Sequence, residues 1–220
     1  MAKALIVYGG WDGHQPKEVS EIFERELKAN GFDVTRSDKL DPLADEEALK
    51  KLDLIVPMWT CGTMTPEQWK GLNGAVRSGV GLGGVHGGMG DAFRGNLEYE
   101  WMTGGQFVGH PTVGDYFVRL TGVNSPITDG MKSMFPYKSE QYYMTVDPGV
   151  TVLADTLYEY DGNRAVMPCI WTKTWGKGRV FYSAMGHCAK EFIDYPEVLA
   201  MSVRGMIWAA EGKPCGCGCK

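Results

Sequence analysis

The first half of the chain alternates between short apolar runs and stretches in which apolar residues recur every three or four positions. Residues 3–8, a lysine followed by an apolar run too short for a helix, read as the first strand. Val19, Ile22, Phe23 and Leu27 then recur at helical spacing, and Asn30-Gly31 supplies a left-handed stop. Residues 32–37 alternate like a strand, 45–51 form a short helix and 52–58 an apolar strand. Thr65-Pro66-Glu67-Gln68 opens the next helix with an N-cap, a proline at the first position and an acid in the first turn, and that helix reaches Ser78. Residues 80–85 are apolar or glycine and form another buried strand, with Asp91-Ala92-Phe93 as the start of a following helix. Strands alternating with helices in this way specify an α/β fold: a doubly wound, mostly parallel sheet with right-handed crossovers.

The second half changes period. Residues 114–121, 142–146, 151–158, 166–174 and 178–184 are rich in β-branched and aromatic side chains and read as added antiparallel strands, two of them joined by the tight hairpin Trp175-Gly176-Lys177-Gly178. Residues 197–210 close the fold as an amphipathic helix with Val198, Leu199, Val203, Met206 and Ile207 on its inner face. There is no internal repeat and no linker. Residues 1–212 are expected to form a single α/β domain, and 213–220, ending Cys215-Gly216-Cys217-Gly218-Cys219-Lys220, a flexible tail.

A chain of 220 residues, 44% of them hydrophobic, can bury a good-sized core. Lys plus Arg total 22 against 27 Asp plus Glu, a net charge of −5, and no basic cluster marks a nucleic-acid or anionic-membrane surface. A small, weakly charged molecule fits better as partner, and a homo-oligomer is expected. With no membrane-spanning stretch and no secretory signal, the expected location is the cytoplasm. Cys61, Cys169 and Cys188 are scattered singly, as reduced intracellular thiols are, and nothing beside them sets up a thiolate. The alternating Cys and Gly of the tail suit either a soft metal or, more plainly, a terminus outside the fold.

The candidate chemistry lies in the four histidines. His86 stands in Gly84-Val85-His86-Gly87-Gly88, at the turn from a strand into a helix, where flanking glycines admit positive φ and close approach. His14 follows the first strand and His187 follows the strand 178–184, so both lie, like His86, beyond the carboxyl end of a strand, the edge where open α/β sheets bind ligands. His110 belongs to another glycine-flanked loop, with no strand of its own to aim it. One such histidine is ordinarily a surface or core residue, but three at one sheet edge imply a shared site. Imidazole suits proton transfer near neutral pH and is the commonest metal ligand. The spacing carries no short-range metal signature, so His86 and His187, with Glu140, read either as acid/base groups or, with His14 and His110, as ligands of a divalent ion such as Zn, Mn or Fe. Glu140 is placed on the cleft's rim. Asp12 and Asp91 are the other carboxylates near these loops, with a turn and a helix cap as their plainer roles. Trp11, Trp59, Trp101, Tyr142 and Tyr143 lie near the histidine loops and offer stacking faces for a sugar, whereas Trp171 and Trp208 read as core.

With these residues assembled, the chain resembles the ThuA-like (trehalose-utilisation) family, whose flavodoxin-like fold is that of class I glutamine amidotransferases. The resemblance runs through residues 9–14, the elbow 83–88, 107–111, Ser125-Pro126-Ile127, 139–143, and 176–182 continuing to Gly186-His187. In the amidotransferases the elbow carries a nucleophilic cysteine; here it carries His86, and the companion His-x-Glu pair is replaced by His187-Cys188-Ala189, so glutaminase chemistry is expected to be absent. What the resemblance implies is a link to sugar metabolism, on trehalose-type disaccharides or their 3-keto derivatives. On the reading of the residues themselves, His86, His187 and Glu140 are expected to be catalytic and His14, Trp11, Trp59, Tyr142 and Gly87 to bind substrate, with no nucleotide cofactor. The rival expectation is a non-catalytic sugar-sensing or partner-binding domain on the same fold.

Overall fold

The structure is a computed structural model that describes residues 1–213. The tail cysteines Cys215, Cys217 and Cys219 lie outside the described residues. The chain folds about one nine-stranded sheet of order β2-β1-β3-β4-β9-β8-β7-β5-β6. Its parallel half comprises β1 (Ala2–Gly10), β2 (Phe32–Ser37), β3 (Leu54–Thr60), β4 (Gly81–Val85) and β9 (Gly178–Ser183). The antiparallel half adds β5 (Gly105–Leu120), β6 (Met134–Val146), β7 (Thr151–Tyr160) and β8 (Asn163–Trp175).

Local sequence explains the helices. In α1 (Pro16–Ala29) the buried positions include Val19, Ile22, Phe23 and Leu27, and Gly31 beyond its end takes φ 84°. In α3 (Pro66–Ser78) Thr65 and Gln68 form a reciprocal capping box, which satisfies two otherwise unpaired amides. A short α2 (Glu46–Leu49) is capped by Asp45. The last helix, α7 (Pro196–Ala210), lies so close on β4 that a Cβ at Gly81 would come within 2.4 Å of the Ala209 backbone. Of its anticipated inner face Val198, Val203 and Met206 are buried, while Leu199 and Ile207 are only half-buried; Met201 and Ala209 complete the contact.

Four expectations need correction. The helix after β4 starts at His86 itself, as α4 (His86–Gly90), and Asp91 follows its end instead of opening a new helix: Ala92 bridges to Cys61 and Phe93 takes φ 51°, so α5 begins only at Leu97 and runs to Thr103. The stretch 105–113 is not a loop but the first part of β5, because paired register shifts beside Gly109 absorb the glycine and Pro111 without ending the ladder. Trp208 is half-buried beneath the Arg179 guanidinium, whereas Trp171 is fully buried as expected. Trp101 packs on Trp175, at the hairpin where β9 starts, and Tyr143 packs on Tyr158, so neither stands with the histidines.

Candidate functional site

The strand order brings the carboxyl ends of β1, β3, β4 and β9 side by side, and each contributes one group. Past β1 the chain makes a single 3-10 turn (Asp12–His14) that delivers His14; Asp12 serves only this turn, its carbonyl accepting from the Gln15 amide. Past β4, His86 sits at φ 46°, a strained left-handed elbow that drives its ring back over the sheet. Past β9, Gly186 at φ 96° turns the chain so that His187 meets the other two rings. Ring centroids are 4.7 Å apart for His14 and His86, 5.0 Å for His14 and His187, and 5.4 Å for His86 and His187.

Glu140, on the edge strand β6, is at the centre of this group and not on its rim. Its Oε2 lies 3.2 Å from His86 Nε2 and 3.3 Å from His187 Nδ1, and its Oε1 lies 3.5 Å from His110 Nε2. One ligand atom from each of His14, His86, Glu140 and His187 falls within 4.8 Å of every other, a geometry that can hold a metal ion. His110 touches the far oxygen of the carboxylate and stands outside that set. Asp91 is buried but occupied elsewhere, accepting from Arg94 Nε and Gln106 Nε2.

The rings of His14 and His86 are oriented from behind, and the backbone of His187 is anchored. Thr60 Oγ1 lies 2.7 Å from His14 Nδ1, and the Ala184 carbonyl accepts from His86 Nδ1 at 2.8 Å. A carbonyl only accepts, so the His86 proton is on Nδ1 and, in the neutral ring, Nε2 presents a lone pair to the carboxylate. The His187 backbone amide donates to Glu191 Oε2 at 2.8 Å, and the same carboxylate receives the Tyr137 and Ser139 hydroxyls. His187 Nδ1 is buried and has no well-aligned hydrogen-bond partner, although Glu140 is close. Gly87 permits all this: a Cβ there would stand 2.3 Å from His14 Cε1 and 3.1 Å from the Tyr142 hydroxyl.

Electrostatics follow from that packing. Burial, reinforced by repulsion from His86 and His187, lowers His14 to a pKa of about 3, so its ring is neutral at physiological pH. Burial by itself would raise Glu140, but its close contacts with His187 and His86 outweigh it and hold the carboxyl below its ordinary range. The same contact raises His187 above its ordinary value. Burial keeps the Tyr142 phenol protonated, and its ring stacks on His86 with centroids 4.0 Å apart. Trp11 is exposed and meets His14 edge-on at 4.7 Å, while Trp59 is half-buried and packs over Gly9 and Gly62.

Space is distributed unevenly. The cavity behind His14 and His86, toward Met58 and Val85, holds about 10 Å³. A groove of about 600 Å³ lies between the loop after β3 and the segment after α4, lined by Thr63, Trp69, Phe93, Arg94, Asn96 and Glu98. Its Arg94 covers the Phe107 ring, which in turn packs 4.3 Å from Tyr142, so an aromatic wall joins groove and histidines. Sequence reasoning missed Thr60, Ala184 and Glu191. Thr60 was open to detection as a hydroxyl at the end of an apolar strand; Ala184 acts through its carbonyl, which carries no residue-type signal.

The doubly wound sheet with a strained elbow after β4 is the class I glutamine amidotransferase-like fold. The glutaminase domain of Trypanosoma brucei CTPS with bound acivicin superposes with a TM-score of 0.58 at 14% identity, over 97% of this chain and 95% of that one. Within that fold, residues 3–209 match the ThuA family, described as trehalose utilisation, and the chain belongs to it. A ThuA-like protein from Bacteroides uniformis is similar at a TM-score of 0.79 and 20% identity, covering 94% of this chain and 91% of its own. Another, from Parabacteroides merdae, gives 0.77 and 17%, covering 97% and 91%. Comparison with curated protein sequences gives no match. Among the described residues no helix is long and apolar enough to cross a membrane.

Proposed function

We propose that this chain is an enzyme of carbohydrate metabolism, acting on a trehalose-type disaccharide or its keto derivative through one divalent ion (Zn, Mn or Fe) held by His14, His86, His187 and Glu140. One observation carries the metal reading: His86 Nε2 and Glu140 Oε2 face each other across 3.2 Å, and with Nδ1 donating to the Ala184 carbonyl the Nε2 of a neutral ring offers a lone pair toward the carboxylate. A cation between them satisfies both, and the unpartnered His187 Nδ1 as well. The two separations to Glu140 Oε2, 3.2 and 3.3 Å, are close to the edge of a tetrahedral site with bonds of about 2.0–2.1 Å, while the whole four-donor set, spread within 4.8 Å, would contract onto the ion. Thr60 and the Ala184 carbonyl are the outer partners that fix ring orientation in metal centres.

A metal here would polarise a substrate carbonyl or activate a water. His110, outside the four-donor set and partly open to solvent, is the imidazole left to move a proton, and the protonated Tyr142 hydroxyl is a second donor to substrate oxygen. The groove beside the aromatic wall, at about 600 Å³, has room for a sugar. The substrate class itself rests on the family's description. The test is metal analysis of the purified chain together with turnover of a 3-keto disaccharide before and after chelation, with His86→Ala and His110→Ala variants. Metal retained by wild type but not by His86→Ala, and activity lost in both variants, is the expected result. Sugar binding without turnover, unaffected by chelation, would overturn it in favour of a sugar-sensing domain.

A further inference from the structure

The helices pack chiefly against the parallel strands, whereas the outward face of the antiparallel half lies open. A free sheet face is ordinarily polar. Here apolar residues recur on four strands: Val166 of β8 pairs with Leu157 of β7, Phe117 of β5 pairs with Pro136 of β6, and the β5–β7 ladder ends at the Val118–Thr156 pair, leaving Phe117 and Leu157 on the two sides of a groove. Val166 is 59% exposed, Leu157 55% and Phe117 56%. Met134 at 52% and Val113 at 67% extend the group along β6 and β5. The groove, of about 500 Å³, is floored by Gln141, whose amide donates to the Leu157 carbonyl. Isolated exposed hydrophobics are ordinary, but a group of them on one open face is an interaction surface.

The charges around the group identify the partner. Arg119 pairs with Asp155, Arg164 with Glu159, and Lys138 stands opposite Asp115 in the ladder, so the rim carries three bases and three acids. The whole chain carries −5. An identical acidic copy is repelled elsewhere and least repelled at this patch, whose charges are already balanced within one copy. We propose that the outward face of β5–β8, centred on Phe117, Leu157 and Val166, is a self-complementary twofold interface through which two copies of this chain associate.

Light scattering on size-exclusion eluates, with the full chain loaded over about a hundredfold range of concentration, tests this through mass action. Wild type should approach twice the chain mass at the upper end. Phe117→Glu and, independently, Val166→Lys should stay at the chain mass with wild-type far-UV circular dichroism, because both sites are exposed and substitution leaves the core intact. The metal content of the two variants should equal that of wild type, which separates this proposal from the functional one. A wild type that remains monomeric throughout, or either folded variant that still dimerises like wild type, overturns the proposal.

Discussion

Replacing Gly87 by Ala tests how the elbow builds the candidate centre. The added Cβ would stand 2.3 Å from His14 Cε1 and 2.7 Å from its Nδ1, against 3.4 Å or more for ordinary contact, so about 1.1 Å must be found. The Gly87 backbone is held by α4, and the Tyr142 hydroxyl closes the other side at 3.1 Å, so His14 must move. Moving it strains the 2.7 Å contact with Thr60. Overpacking of this kind costs about 1–3 kcal/mol, and at about 2–4 °C per kcal/mol for a chain of this size the melting temperature should fall by about 2–12 °C. Metal ligands tolerate only about 0.2 Å of displacement, so affinity for zinc should fall by at least about 100-fold, beyond the 10- to 100-fold typical of losing an outer partner. Differential scanning fluorimetry and zinc titration by calorimetry read the two effects. Gly114→Ala is the control, since nothing lies within 4 Å of a Cβ there. A Gly87→Ala protein with wild-type zinc affinity and unchanged melting would refute both the close approach and the role of His14 as a ligand.

Further outcomes follow from the same geometry. The His14 folded pKa of about 3 lies below its ordinary value, so stability should decline as pH falls from about 6.5 toward 3, where only the unfolded chain takes up that proton. The depressed Glu140 adds stability that is present above about pH 4.3 and is lost as pH falls through its folded pKa. The raised His187 works oppositely, contributing below about pH 6.5 and fading as pH rises through its folded pKa, so melting curves of metal-free wild type and His14→Gln should diverge below pH 6.5. Because His187 holds its proton more tightly than usual, zinc binding just below that raised pKa should release a proton, seen as a dependence of calorimetric enthalpy on buffer ionisation; an enthalpy independent of buffer would count against His187 as a ligand. Glu191→Ala removes the acceptor of the His187 amide and of the Tyr137 and Ser139 hydroxyls, and should cost about 2–3 kcal/mol in urea unfolding while weakening metal binding. Cys61→Ser and Cys188→Ser should leave activity intact; Cys169→Ser should lower only stability, because that thiol is buried and burial raises its pKa.

The sequence by itself determined the alternation of strands and helices, the N-cap of α3, the left-handed stop after α1 and the strand-to-helix turn at His86, because each is written in the periodicity or capping of a few adjacent residues; the positive φ there falls on His86 itself and not on the glycines beside it. It also marked His14, His86 and His187 as sharing an edge, since each follows the carboxyl end of a recognisable strand. What only tertiary structure decided is long-range. Register shifts turned the glycine-flanked 105–113 stretch into a strand that aims His110 at Glu140, and edge placement of β6 carried Glu140 to the centre of the rings. The Ala184 carbonyl, 98 residues from His86, fixed its tautomer, and Trp101 and Tyr143 were turned away to other packing partners. These depend on which strands become neighbours and on how far each ladder slips, and no local pattern encodes either, because strand pairing is a contact between segments distant in the chain.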